Sequence, residues 1–165
     1  MIDWGIGHSI RTVGLFLLGS VLFLACDDAL IVNQVQEFPS EVWSEKDTLS
    51  FPFHIEDTLR PYDIYLTMRH TQAYPYMNLF LFVGTEFPGQ AYRRDTIEFV
   101  LAGKDGTWLG EGFGRLRYNG FLVRKALVFP DTGTYRFTFV QAMRTPQLEG
   151  IRDLGIQIRE SGTGR

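Results

Sequence analysis

The chain has 165 residues, a formal net charge of −3 and 15% aromatic residues, among them 14 Phe and 7 Tyr. That length suits one domain. The mixed, mildly acidic charge has no electrostatic footprint for nucleic acid, and a single cysteine, Cys26, excludes an intramolecular disulfide.

Arg11 is the only strong base in the first 25 residues, and an apolar run at 12–25 follows it. The run is short for a membrane-spanning helix, which needs roughly 20 residues. It has the size of the apolar core of a secretory signal, with a base before it and small residues near its end. The competing reading is a buried helix, but the run lacks the polar face a surface helix of a small domain carries. Phe23-Leu24-Ala25-Cys26 resembles the lipobox of bacterial lipoproteins, with Phe23 where Leu is usual. The resemblance implies cleavage of a 1–25 signal peptide and diacylglycerol on the Cys26 thiol, the good nucleophile among side chains. An inert core cysteine is the alternative. Residues 26–28 then form a lipidated N-terminus and short tether, and the lipid bilayer is a partner. Three acyl chains, which the lipoprotein resemblance implies, exceed the two signals that stable anchoring needs.

The remainder, 29–160, alternates in the manner of strands, which aromatic and β-branched residues favour. A first strand is expected at 29–36. The stretch 48–54 alternates apolar and polar, and Pro52 assigns it to a sheet edge. In 62–70, Tyr62, Ile64, Leu66 and Met68 share one face, with Asp63, Tyr65, Thr67 and Arg69 on the other. The stretch 78–87 is nearly all apolar, as in a central strand covered on both faces. Ile97, Phe99 and Leu101 point inward from 96–102, and 121–129 is another long run. Tyr135, Phe137 and Phe139 share a face of 134–143, and Leu154, Ile156 and Ile158 align in 151–160. Turn chemistry marks Arg60-Pro61, Phe87-Pro88-Gly89, 103–106, Asn119-Gly120 and 130–133. A single helical turn is allowed at 112–116. Strands at this spacing, with no long helical pattern between them, predict an all-β fold: one antiparallel β-sandwich, jelly-roll-like. The tail 161–165 is expected to be disordered.

Catalytic patterns are missing. His54 and His70 have no metal-ligand spacing around them and read as surface residues at strand ends. No G-x-S-x-G elbow occurs. Gly110-Glu111-Gly112-Phe113-Gly114 lacks the lysine of a P-loop and reads as a mobile or tightly turned connection. Asp95 with Glu98, and Asp105 with Glu111, do not single out the carboxylate pair of a glycosidase. The expectation is therefore no enzyme, no catalytic residue, no metal and no cofactor.

Two stretches stand out. Pro75 between Tyr74 and Tyr76 stiffens the loop after Arg69-His70. There Asn78 is expected to satisfy loop backbone groups, and Arg69 to donate to loop carbonyls or a nearby carboxylate. Trp108 between glycines lets the backbone approach a partner, a glycan ring or the chain's own core. Arg69, Tyr74, Tyr76, Asn78 and Trp108 make up the candidate interaction surface, since Tyr and Arg are enriched at binding hot spots. The alternative is a surface glycan-binding module, which needs Tyr74, Tyr76 and Trp108 coplanar and exposed.

These stretches carry a resemblance. The lipobox, Tyr74-Pro75-Tyr76 with Asn78-Leu79, Asp95-Thr96, Asp105-Gly106, Trp108-Leu109-Gly110 with Gly112, Phe129-Pro130, Gly133 with Tyr135, Gln141-Ala142-Met143-Arg144 and Gly150-Ile151 with Asp153 and Gly155 resemble the gliding motility lipoprotein GldH family. The resemblance implies a non-catalytic, lipid-anchored component of the bacterial gliding machinery, linked to type IX protein secretion. It implies a cell-envelope location, at the outer membrane, and other gliding or secretion proteins as partners.

Overall fold

The computed structural model describes residues 30–89 and 91–162. Cys26 and the 1–25 segment lie outside the described residues, as do 163–165. The apolar alternation becomes ten strands among the described residues: β1 (Leu30–Glu37), β2 (Val42–Ser44), β3 (Leu49–Ile55), β4 (Tyr62–Thr71), β5 (Asn78–Glu86), β6 (Tyr92–Val100), β7 (Leu116–Leu127), β8 (Gly133–Gln141), β9 (Gln147–Glu149) and β10 (Ile151–Glu160). One four-stranded sheet has the order β1-β10-β4-β7 and the other β3-β8-β5-β6, while β2 and β9 pair as a short ribbon. Every neighbouring pair is antiparallel. The chain changes sheet at nearly every connection between the eight long strands, which gives the jelly-roll form of the β-sandwich.

The core lies between the two inner faces. Leu66, Met68, Leu154, Ile156 and Ile158 come from one sheet, and Phe51, Phe53, Leu81, Tyr135 and Phe139 from the other, each at most 5% exposed. Aromatic rings fill one end: Phe53 stacks on Tyr135 at 5.8 Å, and Phe129 meets Tyr135 at 4.7 Å. The Tyr135 hydroxyl donates to the Asp131 carbonyl at 2.8 Å, closing the 130–133 turn. The sheets part on the side of β6 and β7, leaving an apolar cavity of about 170 Å³ lined by Ile97, Phe99, Val123, Phe137 and Phe139 among others.

Pro52 does lie on an edge strand, β3, where its missing N–H breaks no ladder. Other expectations need correction. Asn119-Gly120 is not a turn but the middle of β7, opposite Met68 and Thr67. β5 is central, yet Phe80 and Phe82 on its outer face are only half-buried, with the Arg94 guanidinium 4.1 Å over the Phe82 ring. β6 begins at Tyr92, before the expected start at 96. No helical turn forms at 112–116, and β2 and β9 were not foreseen. Ser161, placed in the tail by sequence, donates its N–H to the Pro61 carbonyl at 2.8 Å.

Candidate interaction surface

The end of β4, the start of β5 and the hairpin at 101–109 meet at one end of the sandwich. Three local devices build this end. The Thr71 carbonyl accepts from Tyr74 N at 3.2 Å, which turns the chain back after β4. The Met77 carbonyl accepts from both Leu101 N (2.8 Å) and Ala102 N (3.0 Å), tying the Tyr-Pro-Tyr loop to the hairpin. Asp105 accepts from the Thr107 N–H (3.1 Å) and hydroxyl (2.8 Å), closing the hairpin tip. These bonds hold the Asp105 carboxyl below the usual carboxylate range.

Inside this frame lie four inclined rings. His70 meets Trp108 at 4.5 Å and 61°, and Tyr74 at 5.6 Å and 54°. Tyr74 meets Tyr76 at 5.9 Å and 74°. Tyr74 is 2% exposed, and its hydroxyl donates to the Asn78 carbonyl at 2.8 Å. Burial pushes its phenol pKa up. Tyr74 is thus a packing residue, and the expectation that it faces a partner is corrected by its burial. Tyr76 and Trp108 are half-buried. These rings are not coplanar, so Tyr74, Tyr76 and Trp108 do not form a flat platform on which a sugar could stack.

His70 is also a correction: it is fully buried, not a surface residue. Its position on β4 points it into the sandwich, like Met68. Nδ1 lies 3.0 Å from the Thr71 carbonyl, which can only accept, so Nδ1 carries the proton. Nε2 has no partner among the described residues. Burial lowers the His70 pKa, the Thr71 hydrogen bond works against this, and the Arg117 charge reinforces it. The ring is neutral at pH 7.

The other two sequence candidates point elsewhere. The Asn78 side chain donates to Glu98 Oε1 on β6 at 2.6 Å, and so does not serve the loop backbone as expected. Arg69 lies on the outer face of its sheet and donates from Nε to Asp153 Oδ2 at 2.6 Å, with Glu37 3.8 Å away. Asp153 is itself buried. Arg69 therefore clamps β4 to β10 and does not join the ring cluster. The glycine after Trp108 answers to the chain's own fold. A Cβ on Gly110 would lie 2.7 Å from the Asn119 side-chain amide.

Sequence reasoning missed the residue most available to a partner. Phe113 is 100% exposed, and Leu109 (61%) and Met77 (47%) stand out at the same end. The backbone flanking Phe113 is tied down. The Gly114 carbonyl accepts from Gln72 Nε2 (3.2 Å) and Arg117 Nη1 (3.0 Å), Tyr118 N donates to the Glu111 carbonyl (2.7 Å), and Arg115 pairs with Glu41. The available signal was the Phe between Gly112 and Gly114, an apolar side chain with no strand period to bury it.

Comparison with known proteins bears on the whole chain. The model of the GldH lipoprotein family matches residues 30–158. A gliding motility lipoprotein GldH homolog of Christiangramia forsetii is 29% identical over 161 residues, covering 93% of this chain and 98% of that protein. Gliding motility lipoprotein GldH of Flavobacterium johnsoniae is 28% identical over 158 residues, covering 92% and 98%. A solved structure of infectious bursal disease virus, Gx strain, overlaps 82% of this chain and 31% of its own at 10% identity, with a TM-score of 0.33 that carries no weight. The family match takes in β1 to β9 and β10 as far as Ile158, and the chain belongs to the GldH lipoprotein family.

Proposed function

We propose that this protein is a lipid-anchored, non-catalytic docking component of the gliding machinery. It is held through acylated Cys26 at the outer membrane and works alongside type IX secretion. Family membership supports the gliding role and the anchor. The observation that carries the docking role is Phe113, a fully exposed aromatic ring on a backbone hydrogen-bonded on both sides. Aromatic side chains are favoured anchors at interfaces, and a loop backbone already tied down loses little entropy on binding. The cluster of buried His70 and Tyr74 with half-buried Trp108 is the base on which these loops rest.

Phe113→Ser, introduced into gliding cells that carry only this copy, tests the reading. The expected result is loss of surface spreading, with protein level, membrane association and unfolding midpoint unchanged. Normal spreading by Phe113→Ser combined with Leu109→Ser would refute it.

A further inference from the structure

Leu30 opens β1 and stands four residues after Cys26. Four steps of a fully extended chain reach at most about 14 Å. Leu30 pairs with Arg159, Arg159 with Asp63, and the adjacent Tyr62 with Leu127. The entry of the chain, the start of β4 and the ends of β7 and β10 therefore form one row. In the other sheet Ile55 pairs with Gly133, which brings loops 56–61 and 128–132 to the same end. At a strand spacing of about 4.8 Å the row is about 14 Å across, no wider than the tether is long.

This end carries apolar side chains that the core does not use. Leu59 is 90% exposed and Val128 52%. The loop bearing Leu59 is stiff: its N–H donates to Asp57 Oδ1 at 2.7 Å, and the Tyr62 hydroxyl to the Asp57 carbonyl at 2.7 Å. Arg60 pairs with both Asp57 (2.9 Å) and Glu160 (2.5 Å). The charges nearest the tip are thus tied to one another, and the leucine is held outward.

We propose that this end of the sandwich rests on the bilayer that carries Cys26, with Leu59 and Val128 entering the boundary between headgroups and acyl chains. The inference rests on the reading of Cys26 as the anchor. The tether keeps the end within reach of the headgroups, so a small apolar contact is enough to orient the domain. The Phe113 loop lies at the far end, since His70 pairs with Arg117 and Thr71 with Leu116. The ten residues of β4 hold it about 33 Å further out, at about 3.3 Å each.

Leu59→Cys and Phe113→Cys, each in the full-length acylated protein, accept one environment-sensitive fluorophore because acylation blocks Cys26. Both positions are exposed, so the label leaves the core intact. The proteins are reconstituted into phosphatidylethanolamine–phosphatidylglycerol vesicles containing brominated lipid. The expected result is a blue shift and lipid quenching at position 59, with neither at 113. Vesicle-bound protein unquenched at 59 overturns the proposal and leaves the anchor standing. Equal quenching at both positions overturns it too, since the domain then lies on its side. Acylated protein that fails to sediment with the vesicles refutes the anchor reading itself, and the proposal falls with it.

Discussion

Replacing Gly150 with alanine puts a methyl group where the backbone of Tyr74 already lies. Gly150 joins β9 to β10 at φ +81°, and a Cβ there would stand 2.4 Å from Tyr74 N and 2.7 Å from Tyr74 Cα. Backbone atoms cannot swing aside as a long side chain does. Relief takes a displacement of about 1 Å, since non-bonded atoms settle near 3.5 Å. Two hydrogen bonds lie in the path of that shift: Thr71 N–H to the Gly150 carbonyl, and the Tyr74 hydroxyl to the Asn78 carbonyl, both 2.8 Å. The left-handed conformation costs alanine about 1–2 kcal/mol, and each lost bond about 0.5–1.5, so Gly150→Ala should destabilise by about 2–5 kcal/mol. Gly106 is a matched control, with the same φ of +81° and nothing within 4 Å of its Cβ position. Gly106→Ala should cost only the backbone strain, about 1–2 kcal/mol. A urea titration followed by the fluorescence of Trp43 and Trp108 reads both, with equal slopes required for the comparison. Equal midpoints for the two variants would refute the claim that tertiary contact with Gly150 seats the Tyr74 loop.

Phe139→Ala should destabilise by about 3–5 kcal/mol, because Phe139 is buried against Phe51 (ring centroids 5.7 Å) and borders a cavity that the deletion would enlarge. Arg136→Ala, on the outer face of β8, loses a partly exposed pair with Glu86 at 3.0 Å and should cost under about 1 kcal/mol; similar midpoints would mean the facing is wrong. His70 has its folded pKa below that of the unfolded chain, about 6.5, so the unfolded state takes up the proton first as pH falls. Its contribution to stability is present above the unfolded value and is lost as pH falls from there toward the folded value. His70→Phe keeps a ring beside Trp108 and should flatten the dependence of the urea midpoint between pH 7.5 and 5; an unchanged slope would show that the folded state admits the proton.

Most of the eight long strands were legible in the sequence because a half-buried strand must alternate, and a period of two survives whatever the strand pairs with; the stretches 78–87 and 121–129 showed instead as apolar runs. Ile151–Glu160 matched its expected bounds for that reason, and so did the common inward facing of Tyr135, Phe137 and Phe139. Pro52 announced an edge because a residue without an N–H cannot sit inside a ladder. What sequence could not supply was the identity of neighbours. Asn119-Gly120 has the chemistry of a hairpin turn, yet the flanking residues pair with β4 and not with each other, so the chain runs straight through. β2 and β9 have three residues each, too few to show a period, and exist only as each other's partner. His70 carries a polar side chain at the end of a strand, and only the closing of Trp108 and Tyr74 over it decides that it is buried. Phe113 looked like part of a turn, and only contacts such as that of the Gly114 carbonyl with Gln72, 42 residues away, hold the loop backbone that carries it outward. Local pattern sets which face of a strand is apolar; burial at strand ends and loops depends on atoms far away in the chain, and these meet only when the sandwich has closed.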